Sequence, residues 1–350
     1  MRFNLFLTSY YPDLSYGGKR HFDDLIAQAV LADRLGFDAV SLPEHHLINI
    51  LMMPSPLQMA VKLTGLTENI DLVTAVAVLP LRDMRIFAGE VAQADMLCDG
   101  RLLLGVGRGA FAYEMARLGT PIEISREKFD ESLDVLQALL SGEDVSWSGR
   151  YYNFEPLTVM PRPMRPLPIV MAATHPMAIY HSAKRGFHIM TSALQGTLAA
   201  ALEKTAAFRK AKEEMGAAGQ HLRLSLQRVT YAARDAADAK DKLIRAYEYY
   251  ARFDNVFSGP GQVRGGDIAV LPRGQTLEQL GEALLICTAS EMIDRIGVYR
   301  EAGIDELILS SGMGQPQAET LEMMQRFAEE VMPHFAEPKP AQGAKAEVTA

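Results

Sequence analysis

Ile70-Asp71-Leu72-Val73-Thr74-Ala75-Val76-Ala77-Val78-Leu79 is apolar on both faces and rich in β-branched side chains. A strand wet on one side would alternate polar with apolar, so this run reads as a strand buried on both sides in a parallel sheet. Working outward, segments of the same kind recur. Phe3 to Thr8, Ala39 to Leu42, Arg101 to Val106, Leu167 to Ala172, Phe187 to Thr191, Leu222 to Val229 and Glu306 to Ser310 bring the candidate strands to eight. Helical patterns lie between them. From His21 to Leu35, the residues Leu25, Ala29, Ala32 and Leu35 recur at helical spacing, and Gly36 is placed to stop the helix. Further helices are predicted over about Pro56 to Leu66, Arg85 to Leu97, Arg126 to Leu140 and Gln317 to Val331. Val145 to Phe154 reads as an inserted hairpin turning at Ser148-Gly149, and the four prolines from Pro161 to Pro168 require an extended loop.

Strands alternating with helices along one chain predict a parallel (β/α)8 TIM barrel, with an open doubly wound sheet as the rival. Ser258 to Gln275, rich in glycine, is too long for an ordinary connection, so a mobile loop is expected between the seventh and eighth strands. Residues 1–335 read as a single barrel domain and 336–350, small and polar, as a disordered tail. At 350 residues, 48% hydrophobic and 22% charged, the chain has the composition of a globular protein. No run approaches the ~20 apolar residues of a membrane span. A net charge of -8 without a basic cluster argues against nucleic acid as a partner. Cys98 and Cys287 lie far apart in apolar surroundings and read as buried free thiols, which fits a reducing cytoplasm. The short apolar start has no small-residue cleavage site behind it, so no signal peptide is expected.

In a barrel the chemistry sits at the carboxyl ends of the strands. The second strand ends in Glu44-His45-His46. Neighbouring strand residues face opposite ways, so the two histidines do not share a metal, and no metal site is expected. Either one is a buried, satisfied histidine or it faces the mouth to move a proton. After the fourth strand comes Gly105-Val106-Gly107-Arg108-Gly109, which suits either a bound anion or a tight turn. After the fifth comes Ala172-Ala173-Thr174, with Thr174 a candidate helix N-cap and the helix start itself a place for an anion.

Together these residues resemble the bacterial luciferase-like flavin-dependent monooxygenases. The most specific portion is Asp95-Met96-Leu97-Cys98-Asp99-Gly100-Arg101 running into LLLGVGRG. Glu44-His45-His46, TAVAVLP, Ser148-Gly149-Arg150-Tyr151-Tyr152 and PRPMRPLPIVMAA follow the family in the same order, from Phe3 to about Phe335. The resemblance implies a (β/α)8 barrel binding reduced FMN at its mouth, with dioxygen as co-substrate and a small organic substrate. It implies that His45 is catalytic and that Glu44, Ala75, Val76, Arg108, Ala173 and Thr174 bind the cofactor, Arg108 and Thr174 at its phosphate. It further implies a cis peptide between Ala75 and Val76, a mobile loop over Ser258 to Gln275, a homodimer, and a separate NAD(P)H:flavin reductase. Cys98-Asp99 replaces the family's usual serine and small residue, and Ala173 stands where some relatives carry a carboxylate. A deazaflavin-dependent hydride-transferring enzyme on the same barrel is the alternative, and a non-catalytic flavin-binding protein a more distant one.

Overall fold

The buried run from Ile70 supplies a strand on the wall of a closed barrel in the computed structural model, which describes residues 1–192 and 198–336. Eight parallel strands form that barrel: β1 (Arg2–Phe6), β2 (Ala39–Leu42), β3 (Asp71–Thr74), β5 (Leu102–Gly107), β8 (Ile169–Ala172), β9 (His188–Ser192), β10 (Leu224–Ala233) and β14 (Glu306–Ser310). Each pairs with the next, and β14 returns to β1 with Phe6 opposite Ser310, which closes the ring. The doubly wound alternative is thereby excluded, because an open sheet would leave two edges unpaired.

Helices clothe the barrel as the periodicity predicts. In α1 (Gly18–Leu35), Leu25, Ala29 and Ala32 are buried, and Gly36 at φ 83 ends the helix by donating its N–H to the Ala32 and Asp33 carbonyls. The others are α2 (Pro56–Thr64), α3 (Met84–Leu97), α4 (Ala112–Arg117), α5 (Ile122–Ser141), α6 (Pro176–Lys184), α7 (Leu198–Met215), α8 (Ala236–Phe257), α9 (Leu277–Ala283), α10 (Ala289–Ala302) and α11 (Gln317–Arg326). Among the described residues no helix is long and apolar enough to cross a membrane. Both cysteines are free and buried, and burial raises both thiols, Cys287 to about 11.

The inserted hairpin is β6 (Val145–Ser148) with β7 (Asn153–Leu157). Glu131 of α5 organises its turn, accepting from the Arg150, Tyr151 and Tyr152 N–H groups and from the Trp147 indole. The family-like stretch Asp95 to Arg101 is architectural. Asp95 accepts from Arg165 of the proline-rich loop at 2.8 Å, and Arg101 donates to the Thr64 carbonyl and the Thr67 hydroxyl.

Three features depart from the expectations. The third strand breaks after Thr74 and resumes as β4 (Ala77–Val78), which pairs with β5. The seventh barrel strand, β10, extends to Ala233, and its outer half pairs with an unanticipated strand, β13 (Leu285–Thr288). Ser258 to Gln275 contains a small hairpin, β11 (Val263–Arg264) with β12 (Asp267–Ile268), tied down at both ends of its span. Asn255 of α8 donates to the Gln262 and Ala269 carbonyls, and Asn49 donates to Asp267 at 2.7 Å. The tail beyond Ala336 lies outside the described residues.

Candidate active site

The second strand delivers His45 to the mouth. Its backbone N–H reaches the Met53 carbonyl, and its ring stacks on Phe111 with centroids 4.2 Å apart and planes at 22°. At the ring's edge Nδ1 lies 2.7 Å from Glu114 Oε1, while the other Glu114 oxygen accepts from the His46 N–H at 2.8 Å. Glu114 is 1% exposed, so its carboxylate has these partners in place of water. A carboxylate accepting at Nδ1 fixes that nitrogen as the N–H and leaves Nε2 to exchange protons.

Glu44 faces elsewhere. It is 2% exposed and holds His46 Nε2 at 2.9 Å, Arg82 at 2.8 Å and the Val78 N–H at 3.0 Å. With every oxygen engaged, Glu44 braces the ends of β2 and β4, and it does not line the cavity beside His45. A carboxylate buried this deeply persists because it is paired and hydrogen-bonded.

That cavity, about 170 Å3, lies inside the carboxyl ends of the strands. Phe6, His45, Ala75, Gln227 and Ser310 wall it, Phe111 flanks it, and Tyr249, Tyr250, Phe253 and Phe257 of α8 roof it. A larger open hollow of about 1020 Å3 lies at the opposite end, around Arg2, Asp38, Arg223 and Asp305. It collects the amino ends of strands, where barrels keep structural residues.

The peptide between Ala75 and Val76 is cis. The chain from Thr74 to Val76 lies so close to β5 that a Cβ on Gly105 would overlap the Thr74 carbonyl, and one on Gly107 would stand 2.5 Å from Val76 Cγ2. The glycines in Gly105 to Gly107 therefore answer to the neighbouring strand, which decides for structure at these two positions. Val76 packs there, and Ala75 alone of the pair reaches the cavity. Arg108 is exposed and has no hydrogen bond or ion pair among the described residues. Because Val106 pairs with Met171, Arg108 and Thr174 emerge from the carboxyl ends of adjacent strands. Ala173 is buried and its N–H bonds the Met190 carbonyl. The N-cap of α6 is His175, whose ring accepts from the Met177 N–H, and Thr174 is left exposed beside it. Thr174 misses the cap because Pro176 opens the helix at its first position, which leaves His175 the residue immediately before it.

Several functional groups escaped the sequence reading. Glu114 meets His45 across 69 positions, a separation that no local spacing reveals. The roof did leave a trace, since Tyr249, Phe253 and Phe257 fall four apart on one helical face.

Fold and mouth together define an enzyme of the parallel-barrel class, with a carboxylate-oriented histidine over an apolar chamber. The chain belongs to the luciferase-like monooxygenase family, whose model matches residues 1–306, and it is a flavin-dependent oxidoreductase. It is 27% identical over 350 residues to the oxygenase component of flavin-dependent trigonelline monooxygenase of Acinetobacter baylyi, covering 97% of each chain. It is 30% identical over 344 residues to an F420-dependent glucose-6-phosphate dehydrogenase of Beutenbergia cavernae, covering 89% of this chain and 93% of that one. Among solved structures it matches a monooxygenase from Streptomyces bottropensis at TM-score 0.81 and 25% identity, covering 96% of this chain and 100% of the other.

Proposed function

We propose that this chain is the oxygenase component of a two-component system, placing one atom of dioxygen into a small organic substrate. Reduced FMN, when bound, supplies the two electrons, and a separate NAD(P)H:flavin reductase regenerates it. The observation that carries the reading is the His45–Glu114 pair facing a chamber that no ionised side chain among the described residues lines. Oxygen chemistry needs a proton mover beside an apolar chamber, and His45 at the wall of this cavity supports that reading.

The residues suit a flavin phosphate and ring. Arg108, with no competing partner, offers a guanidinium fork to a phosphate, and Thr174 beside the start of α6 adds a hydroxyl. Ala75 on the cavity wall would meet the ring, and Val76 and Ala173 would support the backbone beside it. Glu44 serves by bracing β2 against β4. His45 Nε2 holds or delivers the proton, Glu114 keeps its ring turned, and the rings of α8 exclude water. The same reading has the enzyme acting in the cytoplasm as a homodimer.

The F420-dependent relative favours a second reading, in which the mouth transfers hydride from a deazaflavin. One experiment separates them: supply reduced FMN from an independent reductase under labelled dioxygen, offer a panel of small substrates, and look for label in product. The expected result is one labelled oxygen per product, lost by about 100-fold or more in His45→Ala. Hydride transfer from reduced deazaflavin with no label in any product would sink the oxygenase reading.

A further inference from the structure

The chamber beneath α8 is roofed with rings, and no Asp, Glu, Lys or Arg among the described residues lines it. Tyr249 and Phe253 lie nearly parallel, at 25° and 6.2 Å between centroids, and so do Phe253 and Phe257, at 23° and 5.2 Å. Phe111 meets Phe253 and Phe257 edge-on at 80° and 82°. Such an array offers both ring faces and ring edges, the two geometries in which a further aromatic ring is held.

Charge is absent for identifiable reasons. Glu114 spends one oxygen on His45 and the other on the His46 N–H. Burial raises Tyr250 to about 12 and Tyr249 well above its usual value, so both stay neutral phenols. An ion entering here would shed its hydration and meet no Asp, Glu, Lys or Arg on the lining among the described residues. Gln227 of β10 reaches the cavity, and its amide has no hydrogen-bond partner among the described residues. It offers a neutral donor and acceptor together.

We propose that the rings of α8 set the substrate class: an uncharged molecule with one planar ring and a neutral hydrogen-bonding group that meets Gln227. Ionised acids, cations and long flexible chains are disfavoured. The inference rests on the oxygenase reading for what happens after binding, and recognition itself is independent of that chemistry.

The test is calorimetric binding of acetophenone, benzoate and decanal to the full chain saturated with oxidised FMN. Acetophenone is expected to bind at least about tenfold more tightly than either of the others. Phe253→Ala and the bulkier Phe253→Leu should each weaken acetophenone by about tenfold while leaving FMN affinity within about threefold. An unchanged thermal melt in the leucine variant separates a lost ring from a lost fold. Equal binding of benzoate or decanal, or acetophenone binding unaltered in both variants, overturns the proposal. So does a fall in FMN affinity as large as that for acetophenone, which would assign the rings to the cofactor. A protein that binds acetophenone as expected yet never incorporates labelled oxygen would refute the oxygenase reading alone.

Discussion

At the scale of single residues, the mouth divides its carboxylates by task. Glu114 orients a ring, and Glu44 fastens backbone. In Glu114→Gln the side chain can still accept at His45 Nδ1, but the negative charge that stabilises a protonated ring is gone. The expected outcome is a fall of about 10- to 100-fold in kcat with KM little changed, and an unaltered kcat would contradict the pairing. Arg108 carries a separate expectation, because it stands alone on the rim. Arg108→Ala should weaken FMN by about tenfold or more and riboflavin little, as measured by flavin fluorescence quenching, and equal losses would remove Arg108 from the phosphate. His45 was legible because it ends a strand beside its triplet neighbours. Its partner was not, since Glu114 sits in a short helix with nothing nearby to single it out.

Among elements, α8 is anchored at both ends. Lys242 at its buried base contacts Asp238 at 3.1 Å, Asp241 at 2.7 Å and Glu319 of α11 at 2.7 Å. Burial works against its charge, but Asp241, Glu319 and Asp238 outweigh that and raise its pKa. The other end holds the small hairpin through Asn255. Asn255→Ala removes two donated hydrogen bonds and one accepted from the Gln262 N–H, each worth about 1 kcal/mol. Hydrogen exchange across 261–269 should accelerate by about tenfold or more while the barrel strands keep their protection; uniform protection would mean the latch is redundant. The helices and eight strands were readable because their periods of 3.6 and their two-faced apolar runs are local properties. β13 was hidden, since Leu285-Ile286-Cys287-Thr288 is as short and apolar as a helix turn. The hairpin was hidden too, because Asn255 and the distant Asn49 hold a glycine-rich segment that looks unstructured by itself.

On the scale of the whole molecule, the two ends of the barrel bear different electrostatics. The floor is a polar network in which Arg2 reaches Glu306, Asp38 and Asp71. His188 sits in it, its Nδ1 accepting from the Arg223 N–H at 3.2 Å. Burial and then the nearby Arg223 charge lower it to about 4. A histidine kept neutral in the fold gives stability that is whole above pH 6.5 and lost as pH falls toward 4, since the unfolded chain takes up the proton first. The loss from this residue should reach about 2 kcal/mol by pH 4, allowing for solvent screening at a partly open site. Denaturant unfolding at stepped pH checks it: His188→Asn, which can still accept from Arg223, should flatten the slope between those values. An unchanged slope would place the acid sensitivity elsewhere.

The roof and the rim belong to different stretches of chain. Ala75, Arg108 and Thr174 come from the first half of the sequence, whereas the ceiling of rings is one continuous helix, Ala236–Phe257. A segment of 22 residues can therefore be rewritten, by descent or by design, to admit a different guest while the groups proposed to serve the redox chemistry stay as they are. Lys242 and Asn255 set the grammar of such a rewriting: they are among the positions that an exchanged helix would have to keep.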